Sequence, residues 1–210
     1  MVTLYDFARA PSPRRARIFL AEKGIGHETV QVDMMQAEQM GDAFRAINPA
    51  CTIPALRLDD GHVLTDNAAI AAWAEAAYPN PPLLGITPIE KAHIASWNAK
   101  LEAEGLMPIA EAMRNSAPAM KDRALPGPHN FAQIPALAER GVQRLQIFFD
   151  MFNAHMLGRE FVATDRFTLA DITATVIIDF ARIVRMVPGE QHGAIIEWRA
   201  RMAERPSMAL

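Results

Sequence analysis

A small mixed α/β domain followed by a bundle of helices is the fold class that the sequence predicts. Three observations predict it. Strand and helix patterns alternate through the first eighty residues as βαβα and then ββα. The stretch from Pro79 to Gly85 holds three prolines and no helical pattern, which marks a linker. From Thr87 onward every periodic segment is helical. The expected organisation is one domain over 1–79, a linker over 80–87 and a helical domain over 88–210.

The elements follow in order. Val2 to Tyr5 is a strand that feeds a helix from Arg14 to Lys23, closed by Gly24. Glu28 to Asp33 alternates with Val30 and Val32 on one face, the pattern of a second strand. Met34 to Ile47 is weakly helical, with Met40, Phe44 and Ile47 at helical spacing, and Asn48-Pro49 stops it. In Thr52 to Leu58, Pro54 cannot donate to a ladder and should open the strand. Asp60-Gly61 turns the chain into a returning strand, His62 to Thr65. Asp66 or Asn67 then caps an alanine-rich helix reaching Tyr78.

In the second half, Thr87-Pro88-Ile89-Glu90 is a capping box, and Ile94, Trp97 and Leu101 follow at helical spacing. Pro108, after Gly105, should kink that helix. Ala117 to Asn130 reads as a loop. Leu137 to Leu157 is a helix with a core stripe of Leu145, Phe149, Phe152 and Met156. Thr168 and Asp171 form a capping box, with Phe167 and Ile172 as its hydrophobic staple. The apolar helix they open, to about Val187, should be the buried centre of the bundle. Ala194 to Glu204 is the last helix.

Composition narrows the function. The chain has 210 residues, half of them hydrophobic, and a net charge of −3 with both signs spread along it. No basic stripe suggests nucleic acid, and no apolar run is long enough to span a membrane. The N-terminus enters a strand pattern at once, which leaves no signal peptide to expect. Cys51 is the only cysteine, so no internal disulfide can form and a reducing cytoplasm is the expected home. One cysteine and six scattered histidines show no metal-ligand spacing, so no metal is expected.

The stretch that organises the first domain is Ala10-Pro11-Ser12-Pro13-Arg14-Arg15, between strand and helix. Ser12 sits where an N-cap belongs and Pro13 at the first helical position. Such a junction aims unpaired N–H groups and the positive dipole end at one spot, where an anion or thiolate is stabilised. Ser12 either caps its helix or serves that anion.

With these motifs in this order, the chain resembles the cytosolic glutathione transferase family over essentially its whole length. The resemblance rests on Leu4-Tyr5, the run Ser12 to Ile25, Asn48-Pro49 with Ile53-Pro54-Ala55-Leu56, Leu64 to Ile70, and Phe167 to Ile172. It implies a thioredoxin-like N-terminal domain (βαβαββα) followed by an all-helical C-terminal bundle. It also implies that glutathione is co-substrate and that the protein is a homodimer, joining the first domain of one chain to the second domain of the other.

The resemblance assigns roles by position. Pro54 takes the place of the family's cis-proline, which turns the N–H and C=O of Ile53 toward the cysteinyl backbone of glutathione. Asp66 and Asn67 stand where the family usually has Glu-Ser and would hold the γ-glutamyl end. Gln39 and Thr52 belong to the glycyl end. The sequence departs from the pattern at the loop: the usual catalytic serine aligns with Ala10, and Ser12 is the loop's only hydroxyl. Ser12 is therefore the expected catalytic residue. Tyr5 should point into the sheet. Cys51 takes a place where the family often has glycine and reads as a small buried thiol. Met107, Glu111, Met113 and Arg114 are the candidates for a hydrophobic substrate site between the two domains.

The activity this implies is attack of the glutathione thiolate on a hydrophobic electrophile. A glutathione-dependent peroxidase, reductase or ether-cleaving enzyme is an alternative using the same site. Loss of the usual serine is also what a non-catalytic glutathione-binding protein would show.

Overall fold

The computed structural model describes residues 1–210, in two compact units. One comprises Met1–Pro81 with Pro126–His129 and Leu210; the other comprises Pro82–Leu125 and Asn130–Ala209.

In the first unit, β1 (Val2–Asp6) is followed by α1 (Pro11–Glu22), β2 (His27–Gln31), α2 (Asp42–Arg45), β3 (Ala55–Arg57), β4 (Val63–Leu64) and α3 (Asn67–Ala77). The sheet order is β2-β1-β3-β4, with β1 parallel to β2 and antiparallel to β3. This is a thioredoxin-like domain with a mixed four-stranded sheet. All five residues of β1 are buried, because both faces of the strand are covered. α1 packs against α3, and Ile18, Phe19, Leu20, Ile70 and Ala74 supply buried apolar surface. A separate cluster joins Tyr5, Val32, Phe44, Ile53 and Ala55. The buried ammonium of Lys23 pairs with Glu75 and donates to the carbonyl oxygens of Tyr78 and Pro81, tying the end of α1 to the end of α3.

Two segments differ from their sequence patterns. β2 ends at Gln31, so Val30 is exposed while Val32, beyond the strand, turns into the core. The stretch 34–47 is not one helix but two 3₁₀ turns and the short α2. Asp33 caps the first turn by accepting from the N–H groups of Met35 and Gln36. Ala37 then takes a left-handed conformation, φ 57°, and Gly41 is extended, so helical hydrogen bonding cannot run through.

The second unit is helical: α4 (Pro88–Leu101), α5 (Met107–Ser116), α6 (Pro135–Met156), α7 (Leu169–Phe180) and α8 (Gly193–Ala203). Between α4 and α5 lies a π-helical turn, Glu102–Leu106. Pro108 has no N–H for the carbonyl four residues back, and Met107 instead donates across five residues to Glu102. Gly105 lets this turn approach its neighbours: a Cβ there would lie 2.9 Å from Ile177 and 3.0 Å from Phe148. Gly141 does the same between α5 and α6, where a Cβ would meet the Pro108 carbonyl oxygen at 2.6 Å. The expected stripe of Leu145, Phe149, Phe152 and Met156 is buried, and Phe152 meets Trp198 edge-on.

α7 is the buried centre of this unit, but it ends at Phe180 rather than near Val187. A 3₁₀ turn follows, and Arg185 is left-handed at φ 60°. The apolar pattern continues past this point, but a left-handed residue stops α-helical hydrogen bonding whatever side chains come next. At the other end, Asp171 is buried. Its Oδ2 accepts from the Thr168 N–H at 3.0 Å and from the Thr168 hydroxyl at 3.2 Å, and its Oδ1 accepts from the Val162 N–H at 2.9 Å. Burial pushes this carboxyl up to about 6 against those hydrogen bonds.

The raised value has a definite sign. The folded state holds a proton that the unfolded state has already lost, so this group stabilises the fold most below its unfolded value of 3.8. That contribution disappears as pH rises to about 6. Urea unfolding of wild type and Asp171→Asn across this window should show the wild-type advantage shrinking with rising pH and then levelling. Parallel profiles would contradict the assignment. Thr168→Ala should cost about 1–3 kcal/mol, because it removes a buried hydrogen bond to a charged group.

Candidate functional site

The register of the sheet brings the segments before Ser12, around Ile53 and before Asn67 to one end of it. β1 ends at Asp6 opposite Gln31 of β2, Tyr5 lies opposite Ala55 at the start of β3, and Leu56 lies opposite Leu64 at the end of β4. The 7–10 loop, the segment 52–54 and Thr65-Asp66 therefore all leave or enter the sheet at the same end.

The start of α1 differs from its sequence reading. The helix begins at Pro11, with Ala10 extended as N-cap at φ −89° and ψ 141°. Ser12 is already inside the first turn, so its hydroxyl is not the cap. The reason is the turn before it: the Ala10 N–H donates to the Phe7 carbonyl at 2.9 Å, which delivers an extended chain to Pro11. The preset φ of Pro11 then starts the helix two residues early. A second expectation also changes. Pro11 and Pro13 have no N–H, and the Arg14 N–H reaches the Ala10 carbonyl at 3.4 Å. Only one orphan donor remains in the first turn, the N–H of Ser12, and the Ser12 hydroxyl has no protein partner either. In the preceding loop the N–H of Arg9 is also unpaired. Ala10, where the resemblance places the family's serine, packs against the cluster of Tyr5, Phe44 and Ile53.

At the start of β3, the Ile53–Pro54 peptide is cis. The Ile53 side chain is buried, while its N–H and C=O make no hydrogen bond within the protein. The residues before it are arranged by Asn48, whose role sequence reading missed. The Asn48 side chain donates to the Thr52 carbonyl at 2.7 Å and to the Thr52 hydroxyl oxygen at 3.1 Å, and it accepts from the Ala50 N–H at 3.0 Å. The last bond is an Asx turn, which Asn before proline could have signalled. Cys51 is buried with φ 54°, the left-handed region that explains why glycine suits this position. The segment Pro126–His129 belongs to this unit, and a Cβ added at Gly127 would lie 3.6 Å from the Ala50 carbonyl oxygen.

At α3, Asp66 is the N-cap, and its Oδ1 accepts from the Ala69 N–H at 2.8 Å. The N–H groups of Asn67 and Ala68 remain unpaired at the positive end of the helix. Gln39 is buried, and its Oε1 has no hydrogen-bond partner.

The four candidates of the helical unit lie on α5. Met107 is 54% exposed and Met113 half-buried. Glu111 accepts from Arg140 at 2.8 Å and from Arg144 at 3.1 Å, so its carboxylate is directed to α6. Arg114 donates to the Arg123 carbonyl at 2.8 Å, and burial together with the nearby Arg123 lowers its pKa.

A thioredoxin-like domain with unpaired amides at one end of its sheet, followed by an all-helical domain, defines the class of protein. Comparison places the chain within that class. Residues 10–77 match the glutathione S-transferase N-terminal domain, and residues 115–206 match the glutathione S-transferase C-terminal domain. The chain belongs to the glutathione S-transferase family. It is 33% identical to glutathione S-transferase 2 of Saccharomyces cerevisiae over 98% of this chain and 87% of that one. It superposes on the crystal structure of Gtt2 from Saccharomyces cerevisiae with TM-score 0.90 and 31% identity, covering 99% of this chain and 98% of the other. A glutathione transferase homologue from Sulfitobacter with bound glutathione has the same fold, with TM-score 0.83 and 24% identity, covering 100% of this chain and 95% of that one.

The capping assignments separate two substitutions. Ser12→Ala should leave the melting temperature nearly unchanged, within about 0.5 kcal/mol, since Ser12 caps nothing. Asp66→Ala should cost about 1 kcal/mol through the lost cap of α3. Thermal melts of both variants check this, and a destabilised Ser12→Ala would contradict the geometry at α1.

Proposed function

We propose that the protein is a glutathione transferase that conjugates the glutathione thiolate to hydrophobic electrophiles, with Ser12 as its catalytic residue. The observation that carries this reading is the first turn of α1, where two prolines leave the N–H of Ser12 as the orphan donor beside the unpartnered Ser12 hydroxyl. A thiol placed there meets two donors and the positive end of a twelve-residue helix. Each favours the ionised sulfur. The proton leaves to solvent, and the sulfur lone pair forms the new bond to the electrophilic carbon, while the bond from that carbon to its leaving group breaks and the leaving group departs with the electron pair.

The rest of the glutathione molecule is assigned to the same end of the sheet. The N–H and C=O of Ile53, preceding Pro54, would pair with the cysteinyl backbone as an added strand does. The free oxygen of Asp66 would take the γ-glutamyl ammonium, and the amides of Asn67 and Ala68 its carboxylate. Gln39, with an unpartnered buried oxygen, and Thr52 would serve the glycyl end. In the helical unit, Met107 and Met113 offer adaptable apolar surface for the acceptor. Glu111 and Arg114 support α5 through their own partners. The same reading takes the protein as a homodimer working in a reducing cytoplasm, in keeping with its single cysteine.

The test is the absorbance of bound glutathione thiolate against pH. Ser12→Ala should raise the bound thiol's pKa and lower turnover near neutral pH while leaving affinity nearly unchanged. Asp66→Ala should weaken glutathione binding by about 1.5–3 kcal/mol, measured by calorimetry. Unchanged ionisation in Ser12→Ala would remove that hydroxyl from the mechanism. Ala10 in place of the usual serine favours one other reading, a glutathione-binding protein without transferase activity. Binding without turnover of a chloro-nitroaromatic, a hydroperoxide or a mixed disulfide would decide for it.

A further inference from the structure

We infer that Asp6, Arg17 and Gln31 together are positioning residues for the thiol-activating turn, an inference that rests on the transferase reading of Ser12. The three side chains come from three elements: the end of β1, the middle of α1 and the end of β2. Asp6 is 1% exposed. Its Oδ1 pairs with Arg17, and its Oδ2 accepts from the Gln31 side-chain amide at 2.7 Å. Each partner then reaches the same residue of the loop. Arg17 donates through its second guanidinium nitrogen to the Ala8 carbonyl at 3.1 Å, and Gln31 accepts from the Ala8 N–H at 3.1 Å. Both backbone groups of Ala8 are thus held by side chains that converge on one buried carboxylate.

The consequence is local and directional. The loop from Phe7 to Ala10 closes through one backbone hydrogen bond, from the Ala10 N–H to the Phe7 carbonyl. Left alone, a turn with one such bond frays readily. With Ala8 gripped on both sides, the next amide, that of Arg9, and the helix start that delivers the Ser12 N–H are set in fixed directions. Donors held in place need no reorganisation when charge develops on the sulfur. The device is also close to electrically neutral. The charge of Asp6 is matched by Arg17, so the grip adds no bare carboxylate beside a thiolate. Geometry and charge can therefore be separated by substitution. Gln31→Met removes two hydrogen bonds of the grip and no charge, at the exposed end of an edge strand where the fold tolerates change. Arg17→Lys keeps the charge opposite Asp6, but a single ammonium cannot span both Asp6 and the Ala8 carbonyl.

The experiment measures three quantities in the full-length wild type and both variants. These are amide exchange at Ala8 to Ser12 without glutathione, ionisation of bound glutathione against pH, and the separate kcat and KM for glutathione. The expected result in both variants is faster exchange in the loop, a raised thiol pKa and a kcat lowered about threefold to tenfold, with KM changed by less than about twofold. A merely structural role would lower the melting temperature without moving the thiol pKa, and that outcome overturns the inference. Wild-type ionisation and kcat in both variants also overturn it, whatever the exchange rates. Failure of the underlying reading looks different: wild type itself would bind glutathione without ionising it, and the inference would fall with the reading.

Discussion

The register of β1 against its two neighbours is the constraint on which the site depends. Because Asp6 lies opposite Gln31, Tyr5 opposite Ala55 and Leu56 opposite Leu64, three chain segments emerge at one end of the sheet. A slip of one residue would invert every side chain of β1, taking Leu4 and Tyr5 out of their separate cores and Asp6 away from Arg17. Burial of all five β1 residues makes such a slip costly. The same packing energy that fixes the strand therefore also fixes where the unpaired amides point.

The helical unit is built by closeness of approach. Gly105 and Gly141 remove side chains where neighbouring backbones and aromatic rings come nearest, and the π turn before Pro108 absorbs the proline without breaking the course of the chain. Its charged groups near the proposed acceptor surface are largely spoken for: Glu111 by two arginines of α6, Arg114 by a backbone carbonyl. The buried Asp171 shows the same economy at the start of α7, where one carboxylate satisfies donors from both Thr168 and Val162. These groups hold the helical unit together, whereas the unpaired N–H groups of Arg9, Ser12, Asn67 and Ala68 belong to the first unit.

Much was legible in the sequence because it was written in local pattern. Alternation, capping boxes and proline punctuation marked nearly every element, and the core stripe of α6 followed from spacing alone. The misreadings have two causes. At α1, two X-Pro steps two residues apart offered two possible starts with the same local chemistry, Ser12-Pro13 and Ala10-Pro11. The turn from Phe7 to Ala10 chose between them, and that turn is held by Arg17 and Gln31 from elsewhere in the chain. At 34–47 and beyond Phe180, left-handed residues interrupt patterns whose side chains are compatible with helix.

The sequence by itself determined the fold class, the order of the elements and the family, and it singled out Ser12, Ile53, Asp66 and Asn67 as candidate groups. The elements follow from residue type and spacing, which act over a few positions, and the candidate groups from the resemblance those motifs carry. Only the tertiary structure decided which of them are spent on structure and which remain free. It placed Ser12 inside the first turn of α1, committed one oxygen of Asp66 to the α3 cap, turned Glu111 toward Arg140 and Arg144, and joined Asp6, Arg17 and Gln31 around Ala8. A hydrogen bond needs its two partners within about 3 Å. Whether residues 25 positions apart in the chain, such as Asp6 and Gln31, meet at that distance is set by strand pairing and packing.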